Sequence, residues 1–118
     1  ARQGTFRQLE VNRGLPAAYL VRHFERKGAD WQIKSRVREL VEFRRINLNE
    51  DEYAMEGGFD LIFCRNVLIY FNRDTKAAVI ERLTRQLSPS GILFLGHSET
   101  LHSAAHALRH VGPTAYSR

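Results

Sequence analysis

Two short polar clusters sit at the ends of apolar runs, and their residue types are the ones in this chain best suited to chemistry. In "FDLIFCRNVLIYFNRDT", residues 59–75, the run Leu61-Ile62-Phe63-Cys64 stops on Arg65-Asn66-Val67. In "GILFLGHSE", residues 91–99, the run stops on His97-Ser98-Glu99. A cation and an amide at the mouth of an apolar strand read as ligand contacts, although spacing alone leaves a solvated loop an equal reading. Two other candidates are weaker. His102, His106 and His110 recur every fourth residue, which on a helix is one face and could ligate a metal. No carboxylate or cysteine nearby completes that set, so a solvated or packed face is the better reading and no metal site is expected. Cys64, within a strand, is expected to be buried and inert rather than nucleophilic.

The elements that must position these residues follow from the hydrophobic periodicity. A run apolar on both faces is the pattern of a central strand in a parallel sheet. Asn72 suits the N-cap of the next helix, with Asp74 in the first turn to meet the positive dipole end. Val79, Ile80, Leu83 and Leu87 make that helix's apolar stripe, and Ser88-Pro89-Ser90-Gly91 ends it. "GILFLGHSE" is then a second buried strand. Strand, helix and strand form a βαβ unit, and ligands of open α/β sheets bind outside the carboxyl ends of the strands. "TLHSAAHALRH" predicts a helix and "PTAYSR" a short last strand. Upstream, "FRQLEVNRGLPAAYLVRHFERKG" predicts short helices, with Pro16 near the first position of one. "HFERKGADWQIKSRV" predicts a hairpin that turns at Lys27-Gly28-Ala29-Asp30, with Trp31 and Ile33 on one side. "LVEFRRINL" predicts a strand from Leu40 to Asn47, and "NEDEYAMEGG" an acidic loop.

With 118 residues the chain is expected to form one domain, and 43% apolar with 26% charged residues argues against disorder. No apolar run reaches the length of a membrane span, and "ARQGTFRQLE" carries no signal-peptide apolar region. A single cysteine excludes an internal disulfide framework, so the expected compartment is the cytoplasm. The net charge of +5 is uneven, +6 over residues 1–45 and −1 over residues 46–118. The basic half suits an acidic partner or a solvated face. It lacks aromatic residues interleaved with arginine and any nucleic-acid-binding motif, so no nucleic-acid partner is expected.

"CRNVLIYF" and "LFLGHSE", with "ARQGTF" and "VRELVEFRRINL" upstream, strongly resemble the chemotaxis receptor methyltransferase family, known as CheR. The resemblance covers nearly the whole chain. It implies transfer of a methyl group from S-adenosylmethionine to glutamate side chains of chemoreceptors. It also implies an α/β fold, the doubly wound, Rossmann-like sheet of class I methyltransferases, with a small antiparallel β-subdomain that residues 23–39 match. By the same resemblance Asn47 and Leu48 lie near the adenine, Arg65, Asn66 and Val67 along the methionine part of the cofactor, and Tyr70 near the transferred methyl group. Asn66 and backbone groups of its turn would then hydrogen-bond the cofactor, and Arg65 would hold a carboxylate or form an ion pair with Glu99 or Asp60. Tyr70 and Arg65 are the candidate catalytic residues. A glutamate side chain, with a pKa of about 4.3, is already ionised at pH 7 and needs no general base. Alignment of oxygen, carbon and sulfur and exclusion of water are the main tasks. Tyr70 could favour the sulfonium charge through its ring, or orient the carboxylate through its hydroxyl.

Two features of that family are not in these residues. No acidic-x-Gly-x-Gly turn occurs, and no acidic residue stands before "ARQGTF" to hold the ribose. The chain is therefore expected to be a fragment, residues 1–118 forming the C-terminal part of the methyltransferase domain with the first two strands missing, and to be inactive alone. A bare edge on the 59–64 strand would then favour a strand-exchanged or edge-paired dimer. The expected partners are the glutamate-rich cytoplasmic helices of chemoreceptors, with no direct membrane insertion. A non-catalytic module docking a receptor or peptide is the alternative reading. The hairpin turn is tight, whereas family members that tether a receptor tail tend to have a longer glycine-rich loop there, so no tether is expected.

Overall fold

The computed structural model describes residues 2–99, 101 and 107–118, which divide into two compact units, Ala1–Arg45 and Ile46–Arg118. The first unit is a three-stranded antiparallel sheet with short helices. In chain order it holds β1 (Thr5–Phe6), α1 (Gln8–Val11), α2 (Ala17–His23), β2 (Phe24–Lys27), β3 (Asp30–Ile33) and α3 (Ser35–Arg38), with β3 between β1 and β2. The hairpin forms where the sequence predicts it. Lys27 pairs with Asp30 across a two-residue turn, and Gly28 takes φ +63° there. Such turns need a positive φ that glycine adopts without strain. Pro16 stands at the N-cap of α2 rather than inside its first turn. At the other end of α2 the Lys34 ammonium donates to the carbonyls of Val21 and Arg22, and Arg36 to that of Arg22, which neutralises the negative helix end. Gln8 ties the sheet together. Its side-chain oxygen accepts from the Trp31 indole and from Arg26, each at 2.8 Å, and the Arg26 guanidinium stacks over the Trp31 ring.

The predicted strand at Leu40 to Asn47 does not form. Residues 41–47 have no regular structure and are exposed, with Leu40 83% accessible. A strand is made by its neighbour's hydrogen bonds, and among the described residues nothing pairs with this one.

The second unit is a mixed four-stranded sheet. β4 (Phe59–Cys64) runs into a single 3-10 turn (Leu68–Tyr70), then α4 (Arg73–Gln86), β5 (Leu87–Leu95), β6 (Arg109–Gly112) and β7 (Ala115–Ser117). The strand order is β4-β5-β7-β6, with β4 parallel to β5 and the other pairs antiparallel. Asn72 caps α4 as predicted, its side-chain oxygen accepting from the Thr75 N–H at 2.9 Å. Val79, Ile80 and Leu83 of α4 join Cys64, Leu68, Leu87, Leu93, Leu95 and Tyr116 in one core.

Four expectations are corrected here. First, β4 is apolar on both faces but buried on only one. Ile62 and Cys64 turn inward, whereas Leu61 and Phe63 remain 53% and 66% accessible, because α4 lines only one side of the sheet. Second, Ser88–Gly91 does not separate helix from strand. It lies inside β5, where the register jumps from Phe59↔Leu87 to Leu61↔Ile92. Gly91 permits this, since a Cβ there would lie 2.7 Å from the Phe59 carbonyl oxygen. Third, the helix expected through residues 100–110 cannot run to its end, because Arg109 and His110 belong to β6 and pair with β7. Thr100 and residues 102–106 lie outside the described residues. Fourth, His110 is therefore not on a helical face with His102 and His106, which are themselves outside the described residues. Its ring packs at 5.2 Å on Tyr116.

Candidate functional site

The carboxyl ends of the parallel strands β4 and β5 lie side by side, so the two polar clusters meet. Their meeting point is Glu99, which is 6% accessible. One carboxylate oxygen accepts from the N–H groups of Val67 (2.8 Å) and Leu68 (2.7 Å). The other accepts from Asn66 (2.8 Å) and Gly96 (2.6 Å). Three successive amides converge because Asn66 takes φ +59°, the left-handed region that asparagine tolerates better than most residues, and Val67 follows in the right-handed region. Gly96 leaves room for this. A Cβ there would stand 2.5 Å from a Glu99 oxygen and 2.9 Å from the Asn66 side-chain oxygen. Burial pushes the Glu99 carboxyl up, but the four backbone donors outweigh it and hold the group below the usual glutamate range.

Around that clamp the predicted residues divide into anchors and exposed groups. Leu68 is buried in the core and Val67 packs partly against it. Arg65, Asn66 and Tyr70 face outward, with Tyr70 81% accessible on the 3-10 turn. Neither Glu99 nor Asp60 pairs with Arg65 among the described residues. Glu99 is spent on the backbone, and Asp60 accepts from the Ser88 hydroxyl. The N–H groups of residues 66–68 are likewise spent on Glu99, so side chains and carbonyl oxygens are what this turn can offer a ligand. The Arg65 guanidinium suits a carboxylate, and the Asn66 amide can both donate and accept. Those donors fit the amino-acid end of S-adenosylmethionine.

Asn47 and Leu48 form a separate turn in the same unit. The Asn47 side chain accepts from the Asn49 N–H, and the Leu48 carbonyl accepts from the Tyr53 hydroxyl at 3.0 Å. Arg82 of α4 reaches the same carbonyl and pairs with Asp51 at 3.0 Å. Burial pushes the Tyr53 phenol up, more than the nearby Arg82 charge lowers it. Leu48 and Val67 both pack on the one core. Cys64 is buried, and its thiol is pushed up first by burial and then by the Glu99 charge, which makes it a poor nucleophile.

Sequence reasoning named Glu99 as one of the strand-end ligand contacts and as an ion-pair partner of Arg65, not as a clamp on the backbone, and missed Tyr53 and Arg82. An acid three residues after a glycine at the mouth of a buried strand was the available signal for Glu99.

Residues 1–117 match the family described as CheR methyltransferase, SAM binding domain. The chain belongs to the CheR methyltransferase family. It is 45% identical over 121 residues to chemotaxis protein methyltransferase 2 of Pseudomonas aeruginosa, which covers 99% of this chain and 43% of that protein. Chemotaxis protein methyltransferase 1 of the same organism is 45% identical over 87% of this chain and 38% of its own length. The chemotaxis protein methyltransferase of Salmonella typhimurium is 38% identical over 99% of this chain and 42% of its own length. The chain thus spans about two fifths of the curated relatives it matches.

Proposed function

We propose that this CheR segment belongs to an enzyme that methylates glutamate side chains of chemoreceptors with S-adenosylmethionine. The observation that carries the reading is the outward-facing Arg65-Asn66 pair on a pinned turn, at the carboxyl end of a parallel strand, in a chain matching a cofactor-binding family from residue 1 to 117. In this reading Arg65 holds the cofactor's carboxylate, Asn66 its polar groups, Val67 packs beside it, and Asn47 and Leu48 border the adenine. Tyr70, exposed two residues beyond the buried Leu68, faces the incoming glutamate. The cofactor supplies a methyl group on a positive sulfur. The chain's task is to aim a receptor carboxylate at that carbon and keep water away. Because the receptor carboxylate is already ionised at pH 7, the residues of this chain would have no proton to remove in that transfer.

Residues 23–39 are proposed as the family's small antiparallel subdomain, inside a C-terminal part of the methyltransferase domain spanning residues 1–118 of a doubly wound, Rossmann-like sheet. The basic first unit, with a balance of +6 over residues 1–45, suits glutamate-rich receptor helices in the cytoplasm. These 118 residues hold no glycine turn or ribose acid of the expected kind, so alone they should bind S-adenosylmethionine weakly and methylate nothing. Calorimetry on this chain checks that, and micromolar affinity contradicts it. The open side of β4 and its exposed Leu61 and Phe63 favour pairing with a second copy, which light scattering reads as a dimer or refutes as a monomer.

The functional test uses the full-length protein, isotopically labelled cofactor and receptor. Label that base releases as methanol marks a carboxyl ester, whereas base-stable label refutes the glutamate assignment. Asn66→Ala should weaken cofactor binding about tenfold or more, the loss of a hydrogen bond of roughly 1–2 kcal/mol. Tyr70→Phe should lower turnover more than cofactor affinity, and an unchanged rate would leave the Tyr70 hydroxyl without a role.

A further inference from the structure

Glu99 has no counterpart among the residues that bind or react in the proposed function, yet it is a buried acid at the centre of the site. Its position is unusual in three ways. All four hydrogen bonds to its carboxylate come from backbone amides, on two separate loops. The loops carry different parts of the sequence, residues 66–68 after β4 and Gly96 after β5. And the turn it grips contains Asn66 at φ +59°, a conformation that costs a residue with a Cβ energy unless something holds it.

We propose that Glu99 is a positioning residue for the cofactor site, its carboxylate tying residues 66–68 to Gly96 and so setting the direction in which the Arg65 and Asn66 side chains point. The inference rests on the proposed function, since it gives Glu99 a role through that site. The physical chain is short. Here three consecutive N–H groups converge on one anion because residue 66 is left-handed and residue 67 right-handed, which makes the turn concave toward the carboxylate. Remove the anion, and the N–H groups seek water or carbonyls while Asn66 relaxes toward negative φ. That rotation swings the Asn66 side chain away and drags Arg65 with it. Gly96 serves the same end, because any side chain there would push the carboxylate off its donors.

The decisive variant is Glu99→Gln in the full-length protein. It keeps the shape but converts one oxygen to an NH2 group. Each oxygen serves two amides, so two backbone N–H groups lose their acceptor whichever oxygen is replaced. Cofactor KM and Kd should rise about tenfold or more, while kcat at saturating cofactor falls less than about threefold. Hydrogen exchange should quicken most at Asn66, Val67, Leu68 and Gly96, and less at the α4 amides of Val79, Ile80 and Leu83. Unchanged cofactor affinity with locally faster exchange would overturn the proposal, leaving Glu99 a strand-end tie with no bearing on the site. Equal loss of protection in α4 would also overturn it, as a purely structural role. Gly96→Ala is the second variant, displacing the same carboxylate without changing its charge. It must move the same affinity, and if both variants fail to fold the proposal is wrong. Failure of the unmodified full-length protein to bind S-adenosylmethionine overturns the proposed function and this inference together, whereas normal binding by the unmodified protein and by Glu99→Gln overturns the inference alone.

Discussion

Residues 59–67 and residues 40–48 share a local pattern: each is a run predicted as a strand that ends on a basic or aliphatic residue, an asparagine and an aliphatic residue, "CRNV" in one and "RINL" in the other, although the second run also carries Glu42, Arg44 and Arg45. The first has a parallel neighbour in β5, a distant acid that collects its amides, and Leu68 driven into the core. The second has no strand beside it among the described residues, only a single hydrogen bond from the Arg2 guanidinium to the Phe43 carbonyl. Its asparagine makes only a local turn, through Asn49 and Glu50, and Leu40 stays in water. Apolar pattern makes a run eligible to be a strand, but hydrogen bonds from another part of the chain decide whether it becomes one. The same applies to the asparagines, of which only Asn66 is held in a special conformation by a residue 33 positions away.

The largest effect that this contrast predicts is at Leu68. Truncating it empties a fully buried site beneath the turn, so Leu68→Ala should cost about 2–5 kcal/mol of stability in the second unit. Chemical denaturation followed by a probe in residues 46–118 measures it, and a loss below 1 kcal/mol would mean the turn is not anchored through the core.

The Glu99 clamp gives the next effect, and it carries a pH signature. Its folded carboxyl titrates below the ordinary glutamate value of 4.5, burial raising it but the backbone donors lowering it more. A depressed acid stabilises the fold fully above its unfolded value, and that contribution is lost as pH falls through 4.5 and then through the folded value. At neutral pH the clamp should contribute roughly 1–3 kcal/mol. Glu99→Gln should therefore lower stability at pH 7 and flatten the decline as pH falls below 4.5, relative to the unmodified chain. Parallel stability curves for the two proteins would show that the carboxylate is not held ionised by the turn.

Much of the second unit was legible because its signals are local. Asn72 as cap, the stripe Val79, Ile80 and Leu83 (its predicted fourth member, Leu87, instead opens β5), and the two apolar runs each follow from a few adjacent residues. The hairpin was legible for the same reason, a glycine at a two-residue turn. What failed depends on partners far along the chain. Burial of both β4 faces needed a second covering layer, and the 40–47 strand needed a neighbour. The three-residue excess in β5 depends on how Phe59 meets Gly91. At the candidate site, Arg65, Asn66 and Tyr70 were named through the family motif and the structure places them outward near the end of β4, while the destination of the Glu99 oxygens was not foreseen, since no periodicity reports a side chain that binds backbone. Arg82, on the exposed flank of a helix, gave no sign that it would reach the Leu48 carbonyl.

A smaller effect tests the helix that follows the turn. Asn72 satisfies one of the free N–H groups at the start of α4 through Thr75, and Asp74 complements the helix end. Asn72→Ala should cost about 1 kcal/mol, whereas Asn72→Asp or Asn72→Ser should cost a few tenths at most. Thermal melting of the three variants separates a capping role from one of simple packing, in which serine would do as badly as alanine.

The smallest effect sharpens the comparison from the other side. Leu40 and Phe43 are large and apolar, so by composition they belong in a core, but they lie in a segment with no ladder. Leu40→Ser exchanges an exposed side chain for a smaller polar one and removes no hydrogen bond. It should change the stability of this chain by no more than about 0.5 kcal/mol. Phe43 is less exposed and borders a shallow cavity with Arg38 and Val41, so Phe43→Ser should cost somewhat more than Leu40→Ser and far less than Leu68→Ala. Both should be measured at several protein concentrations. If Leu40→Ser costs more than 1 kcal/mol only at high concentration, the segment is paired with another copy of the chain, as a strand moved into the open edge of β4 would be. A cost of that size independent of concentration would show the segment packed within one chain, and the contrast between the two stretches would then lie in their hydrogen bonds and not in their burial.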